Sequence, residues 1–278
     1  MKTQKLSLDI FTKCLEERGF EVKFYYDRVK LYVDSTVQNR VLNNIKSCGG
    51  EQKIESRALM HYDIMNRLID VRQPGIQYFE ELKSALTGDY LLNYVEFAMD
   101  IISDNKINVR KLRRLLNELW VFERKRCDLR FYHGIMNKTH YFGRRYHHKD
   151  VLAIYSDRKS KVAKGKYCVH IEMRYTGSKM LKDLGIYTVQ DLIDFDHEKL
   201  WDKLIDLRDA HYTELGRLLF EEESGLSDST LSRYSKHFLN TFVGLQDLLM
   251  KNPGFAGAFP SIKNRRMFES RLNQVLGL

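Results

Sequence analysis

Proline is scarce in this sequence: Pro74, Pro253 and Pro260 are the only three in 278 residues. No proline-rich or Ser/Gly-rich linker divides the chain, and no low-complexity segment or internal repeat is evident. Cysteine is scarce too. Cys14, Cys48, Cys127 and Cys168 are far apart and form no CxxC pair, which argues against a zinc ribbon or a dithiol redox motif and suits a reducing compartment. There is no GxSxG, and no cysteine sits in a recognisable activating context, so serine and cysteine hydrolase chemistry has no support. A run of ~20 uncharged apolar residues is also missing, and Met1-Lys2-Thr3-Gln4-Lys5 leads into a polar amphipathic segment, unlike a signal peptide. The expectation is a cytoplasmic protein with no membrane partner.

What the chain has in excess is positive charge. The formal net charge is +9 and the sequence pI about 9.2, so its surface should attract a polyanion. Many basic proteins bind no nucleic acid, so the inference rests on clustering. Arg110, Lys111, Arg113, Arg114, Arg124, Lys125, Arg126 and Arg130 crowd one stretch, and Lys138, Arg144, Arg145, Lys149, Arg158, Lys159, Lys161, Lys164 and Lys166 follow. Tyr132, Tyr141, Phe142, Tyr146, Tyr155 and Tyr167 interleave with them. That composition suits a groove that tracks a phosphate backbone and stacks unpaired bases on aromatic rings.

Period-two patterning predicts strand pairing over residues 20–34 and strands near 93–102, 127–134, 138–144, 150–156 and 167–175. Period 3.6 predicts helices over 36–46, 76–86 and 108–120 and, beyond Gly177, over 178–184, 188–194, 197–222, 228–250 and 261–276. A strand, a helix and then a run of short strands indicate an α+β fold with an antiparallel sheet. The change of pattern at Gly177 suggests an α+β domain over 1–177 and a helical domain over 178–278.

Within the strands, chemistry-bearing residues alternate with apolar ones. Glu96, Ala98 and Asp100 share one face of their strand; Val151, Ala153 and Tyr155 share a face; and His170, Glu172 and Arg174 lie opposite Val169, Ile171 and Met173. Carboxylates converging from separate strands are what Mg²⁺ or Mn²⁺ requires. Glu96 and Glu172 are the expected ligands. Asp100, roughly 13 Å along the strand from Glu96, is expected as a flanking group. A tyrosine attacking a phosphodiester needs its nonbridging oxygens neutralised and the departing 3′ oxygen stabilised, roles open to a metal and to Arg158, Lys159 or Arg174. Singly, each residue has an ordinary explanation: a strand tyrosine is usually packing, and a strand carboxylate is usually solvated.

The combination is more specific. Tyr-Phe-Gly-x-Arg (Tyr141 to Arg145), Ile154-Tyr155 followed by polar and basic residues, and Ile-Glu-x-Arg (Ile171 to Arg174), preceded by Val-Glu-x-Ala-x-Asp (Val95 to Asp100), resemble the replication initiation factor family. Its members are rolling-circle initiators of small plasmids, with relatives in filamentous-type phages. The resemblance covers roughly residues 60–176. It implies a site-specific single-strand DNA endonuclease and ligase, with Tyr155 at the nicking tyrosine and Glu96 and Glu172 at acidic metal-site positions. The reaction would leave a 5′-phosphotyrosyl link. Where family members carry Arg two residues before the tyrosine, this chain has Ala153, and Ser156 and Asp157 follow the tyrosine. No His-x-His occurs, which disfavours the related nickases that bind metal through that motif. The expected partners are single-stranded and double-stranded origin DNA, with a host helicase and a second copy of the chain as candidates. The competing classes are a non-catalytic DNA-binding regulator on the same scaffold and a tyrosine recombinase, the latter disfavoured because Tyr155 sits in strand-like sequence.

The stretch Glu223 to Tyr234 reads as a helix-turn-helix, with Gly225 in the turn and Ser229, Ser232 and Arg233 on the second helix, or else as a plain helix hairpin. Base-edge contacts carry sequence information at ~1–3 kcal/mol for a good bidentate pair, while phosphate contacts carry salt-dependent affinity. If this segment reads DNA, Arg233→Ala lowers discrimination between origin and random duplex, whereas removing Arg144 or Arg145 weakens both alike. Competition binding at fixed salt measures it, and an unchanged ratio for Arg233→Ala leaves the segment a hairpin.

Overall fold

The computed structural model describes residues 5–34, 51–56, 66–86, 89–120, 129–133, 138–142, 150–156, 158–209 and 260–278. The expected helices over 36–46 and 228–250, the helix-turn-helix and residues Arg144, Arg145 and Arg233 lie outside them. The fold is α+β. Eight strands form one antiparallel sheet: β1 (Glu21–Val33), β2 (Glu51–Ser56), β3 (Arg67–Arg72), β4 (Tyr90–Ser103), β5 (Leu129–His133), β6 (Lys138–Phe142), β7 (Asp150–Tyr155) and β8 (Tyr167–Thr176). Their spatial order is β2-β3-β1-β4-β8-β7-β6-β5.

Strict alternation decides which face is which. Val29 and Leu31 on β1, Ile69 and Val71 on β3, Val95, Phe97, Met99 and Ile101 on β4, Leu152 and Ile154 on β7, and Val169, Ile171 and Met173 on β8 all enter one buried apolar core. The helices supply the other half of that core. They are α1 (Leu8–Glu16), α2 (Ile76–Ala85), α3 (Lys106–Leu119), α4 (Ser178–Asp183), α5 (Val189–Ile193), α6 (His197–Leu204) and α7 (Arg265–Leu276). Helix starts are set by capping side chains that satisfy otherwise orphaned amides. Asn105 accepts from the amides of Ile107 and Asn108, Thr188 and Asp191 form a reciprocal capping box, and Asn264 caps α7. Between β8 and α4 the chain turns at Gly177 with φ of 96°, a conformation that a β-carbon would strain.

The helices after Gly177 share their core with the sheet. Phe268 of α7 packs on Phe11 of α1 with ring centroids 5.3 Å apart, and Phe11 meets Trp120 edge-on at 6.4 Å. Two expectations need correction here. The helix predicted over 197–222 is interrupted after Leu204, because Ile205 to Asp209 is drawn into extended pairing: Leu207 bridges Trp120 and Arg208 bridges Ser261; residues 210–222 lie outside the described residues. The Trp120 indole N–H donates to the Leu204 carbonyl at 3.2 Å and closes the helix end. The helix predicted from 261 begins at Arg265 for the same reason, since Ser261 and Ile262 belong to that bridge and the Ile262 amide donates to the Leu207 carbonyl at 2.7 Å. Among the described residues no helix is long and apolar enough to cross a membrane.

Aromatic rings enclose His197 beneath the sheet. Tyr26, Phe97 and Phe195 lie with centroids 4.5, 5.5 and 5.7 Å from its ring, and its Nδ1 is buried without a hydrogen-bond partner. Burial therefore lowers its pKa, to about 4. A histidine depressed in this way favours the fold above its unfolded value of about 6.5, and that contribution is lost as the pH falls toward 4. His197→Phe should shrink the stability difference between pH 7 and pH 4.5 by about 2 kcal/mol relative to the unmodified chain. Urea unfolding at the two pH values measures it; parallel losses in both proteins would show that His197 titrates normally.

Candidate metal centre

On the side of the sheet away from the core, pairing register assembles a compact polar cluster. Glu96, Ala98 and Asp100 of β4 lie opposite Arg174, Glu172 and His170 of β8. On the other side of β8, Val151, Ala153 and Tyr155 of β7 face the same three residues. Glu172 thus has an alanine beside it on each neighbouring strand. On β1, Tyr25 pairs with Ala98 and Arg28 with Glu96, and the register slips between Tyr26 and Arg28. Asp27 is the extra residue in that bulge. Tyr26 and Val29 remain buried in the core, while Asp27 comes to the cluster from its β1 side.

The cluster is buried, not solvated: Asp27, Glu96, Asp100, His170 and Glu172 are all nearly inaccessible. His170 Nδ1 donates to Asp100 Oδ1 at 2.6 Å, and its Nε2 lies 3.1 Å from Glu172 Oε2. The Tyr25 hydroxyl donates to Asp100 Oδ1 at 3.2 Å, and Ser160 Oγ donates to Asp100 Oδ2 at 2.6 Å. The Tyr155 hydroxyl donates to Glu172 Oε2 at 3.4 Å, and its ring leans on His170 with centroids 4.6 Å apart. The Arg174 guanidinium holds Glu172 Oε1 and comes within 3.5 Å of Glu96, whose carboxylate also accepts from the Tyr94 hydroxyl. Lys161 donates to both oxygens of Asp27, at 2.7 and 2.6 Å.

Burial and neighbouring charge set the protonation states. Burial alone would lower the His170 pKa, but hydrogen bonds to Asp100 and Glu172 outweigh it and push the ring up to about 9. For Glu172, burial is likewise outweighed by His170 and Arg174, which hold it ionised. Glu96 is pushed up by burial and then by the charge of Glu172, toward its neutral form. Burial, reinforced by Glu172, holds the Tyr155 phenol well above its ordinary range, so at neutral pH it is a phenol, not a phenolate.

Asp27, His170 and Glu172 each offer one ligand atom, and all three atoms lie within 4.8 Å of one another. Ligands on opposite sides of one Mg²⁺ or Mn²⁺ ion lie about 4–4.5 Å apart, so the spacing fits a shared ion. The donor set can hold a divalent cation: the two carboxylate oxygens suit Mg²⁺ or Mn²⁺, and the imidazole nitrogen favours a transition ion such as Mn²⁺ over Mg²⁺. Asp100 behind His170 fixes the ring and its tautomer, as an outer carboxylate does in metal sites.

Of the residues singled out in the sequence, Tyr155, Glu96, Asp100, Glu172 and Arg174 come together. Glu96 lies beside Arg174 and Tyr94 and is not one of the three converging groups; Asp100 flanks them through His170. Arg158 and Lys159 are exposed on the segment that leaves Tyr155, with Lys159 5.3 Å from the Tyr167 ring centroid. Sequence reasoning did not identify Asp27, His170 or Lys161 as parts of the centre. A signal for Asp27 was present: Phe20, Val22 and Phe24 are apolar at even positions and Val29, Leu31 and Val33 at odd ones, a phase change that requires an inserted residue between them.

No family model matches the chain, and no curated protein matches it. The fold is similar to a solved rolling circle replication initiator protein from Geobacillus stearothermophilus, at 11% identity and a TM-score of 0.36, over 63% of this chain and 80% of that one. It is also similar to heterotetrameric sarcosine oxidase from Corynebacterium sp. U-96 in complex with pyrrole 2-carboxylate, at 12% identity and a TM-score of 0.22, over 69% of this chain and 93% of that one. Likeness at this level carries no functional argument, and the reading below rests on the residues.

Asp100 is the keystone of the metal-free cluster. Asp100→Asn removes the charge facing His170 while keeping the shape, and loss of one member of a buried ion pair costs roughly 3 kcal/mol. Urea unfolding at pH 7 should show a loss of about that size; a change within error would mean that the ring is held by packing alone.

Proposed function

We propose that this chain is a metal-dependent DNA-nicking and strand-transfer protein that initiates rolling-circle replication, with Tyr155 as its nucleophile. The observation that carries the reading is the Tyr155 hydroxyl, 3.4 Å from Glu172 Oε2, at the edge of the Asp27–His170–Glu172 cluster. The sequence resemblance independently places its nicking tyrosine on that residue.

In this mechanism the hydrogen bond to Glu172 orients the Tyr155 oxygen toward the phosphodiester. The Oη–P bond forms as the P–O3′ bond breaks, giving the 5′-phosphotyrosyl link. The phenol proton passes to water, and the departing 3′ oxygen takes up a proton from water. A divalent ion held by Asp27, His170 and Glu172 would neutralise the nonbridging oxygens and favour the phenolate. Ligation through Nε2 requires the neutral imidazole, so metal uptake would release the proton that the metal-free ring retains up to a pH of about 9. Arg174 keeps Glu172 ionised, and Arg158 and Lys159 supply exposed positive charge beside the tyrosine. Because the link conserves the phosphodiester's energy, attack by a 3′ hydroxyl reverses the step and rejoins the strand. Arg144 and Arg145 would hold the backbone near the nicking strands and Arg233 would read the origin.

One observation favours a second reading, a non-catalytic DNA-binding regulator on this scaffold: Lys161 engages both oxygens of Asp27 and by itself supplies that carboxylate's counter-charge.

The test is incubation with single-stranded origin DNA and Mn²⁺ or Mg²⁺, followed by denaturing electrophoresis for a covalent adduct. Tyr155→Phe should abolish the adduct with DNA affinity nearly unchanged. Glu172→Gln, which removes an anionic ligand, should lose metal-dependent cleavage, and Glu96→Gln, which alters the partner of Arg174 beside Glu172, should weaken it. A full-rate adduct in the Phe variant would place the nucleophile elsewhere, and normal cleavage by both Gln variants across a metal titration would remove the acidic site from the mechanism. No adduct from the unmodified chain under any metal would favour the regulator.

A further inference from the structure

The three converging groups are not equally available to an ion. Glu172 gives Oε1 to Arg174 and turns Oε2 toward His170 and Tyr155. His170 gives Nδ1 to Asp100 and turns Nε2 inward. Asp27 gives both of its oxygens to Lys161. The Asp27 side chain is 5% exposed and that of Lys161 32%, so the ammonium reaches the carboxylate from the solvent side and stands where an entering cation must pass.

We infer that Lys161 is a tethered cation that occupies the Asp27 carboxylate until a divalent ion displaces it, and so sets how tightly the centre holds metal. The inference rests on the metal centre proposed above. Its physical basis is that Asp27 is buried, and a buried carboxylate with no counter-charge is strongly unfavourable. Lys161 supplies that counter-charge in the absence of metal; a divalent ion supplies more.

The tether is built for the exchange. The backbone around Lys161 is fixed: Ser160 Oγ donates to Asp100 at 2.6 Å and accepts from the amides of Val162 and Ala163 at 3.3 and 3.0 Å. The Ser160 amide donates to the Lys166 carbonyl at 3.0 Å. The same carboxylate that positions His170 therefore anchors the loop, and only the flexible lysine stem has to move. Once displaced, the ammonium joins Arg158 and Lys159 on the exposed rim beside Tyr155, where it would meet DNA phosphate. Metal entry and strengthening of the phosphate-binding rim would then be one event.

Mn²⁺ binding to the full chain without DNA, followed through the electron paramagnetic resonance signal of free Mn²⁺, tests this. Lys161→Met and Lys161→Gln should bind Mn²⁺ at least about tenfold more tightly than the unmodified chain, while Lys161→Arg, which keeps the charge, should bind no more tightly. Equal or weaker binding by both neutral variants overturns the inference. Should those variants fail to fold, acetylation of Lys161 in the unmodified chain, read by peptide mass spectrometry, decides: saturating Mn²⁺ should speed it, and an unchanged or slower rate overturns the inference. Asp27→Asn separates this from the underlying reading. Mn²⁺ binding that Asp27→Asn abolishes, but that the neutral Lys161 variants leave unchanged, removes the role of Lys161 and keeps the metal centre. No Mn²⁺ binding by any of these chains removes both.

Discussion

Asp100 accepts hydrogen bonds from three different elements: Tyr25 on β1, His170 on β8 and Ser160 in the segment between β7 and β8. It is fully buried, so its charge must be met by protein groups or not at all. That constraint propagates outward. It fixes the imidazole, whose other nitrogen then points at Glu172; Glu172 in turn draws Arg174 and orients Tyr155. Through Ser160 it also places Lys161 over Asp27. A carboxylate that touches none of the proposed reaction's atoms therefore sets the geometry of those that do.

The sheet solves an unusual packing problem. Most antiparallel sheets bury one face and leave the other to water, yet here the second face is also largely closed at β4 and β8, with carboxylates where solvent would normally be. Alternating sign makes this possible. Asp100, Glu172 and Asp27 are matched by His170, Arg174 and Lys161 from neighbouring positions, and a parallel pair, Arg28 with Asp70 at 2.5 Å, continues the pattern toward the β3 edge. Ion pairs of this kind add little net stability compared with apolar packing. Their value lies in a preorganised, water-poor environment in which a further charge, metal or phosphate, is strongly felt.

Much of this was readable in the sequence because strands advertise their faces. Once β4 and β8 are recognised, period two alone puts Glu96 and Asp100, and His170, Glu172 and Arg174, on the face away from the core, where the structure has them. Which of them meet depends on register between strands far apart in sequence, and the local pattern is silent on that. Asp27 reaches the cluster only through a bulge, and Lys161 only through a loop whose path is set by Asp100. The helix boundary at Leu204 was hidden for a similar reason: Ile205 to Asp209 contain no proline or glycine to mark a stop, and it is a long-range bridge to Trp120 that ends the helix.

The bridge between Arg208 and Ser261, with the Asp209 amide donating to the Pro260 carbonyl at 3.1 Å, has a bearing on how this chain can vary. The polypeptide leaves the core at Asp209 and re-enters beside the same point, before α7 docks against α1 and α3. Asp209 and Pro260 are therefore held side by side, both fixed to the core by main-chain pairing. For a flexible connection between two points anchored in this way, doubling the length costs only about 0.6 kcal/mol in closure entropy. A change of chain length between the two anchors would therefore leave the sheet, α7 and the charges around Asp100 held by the same contacts.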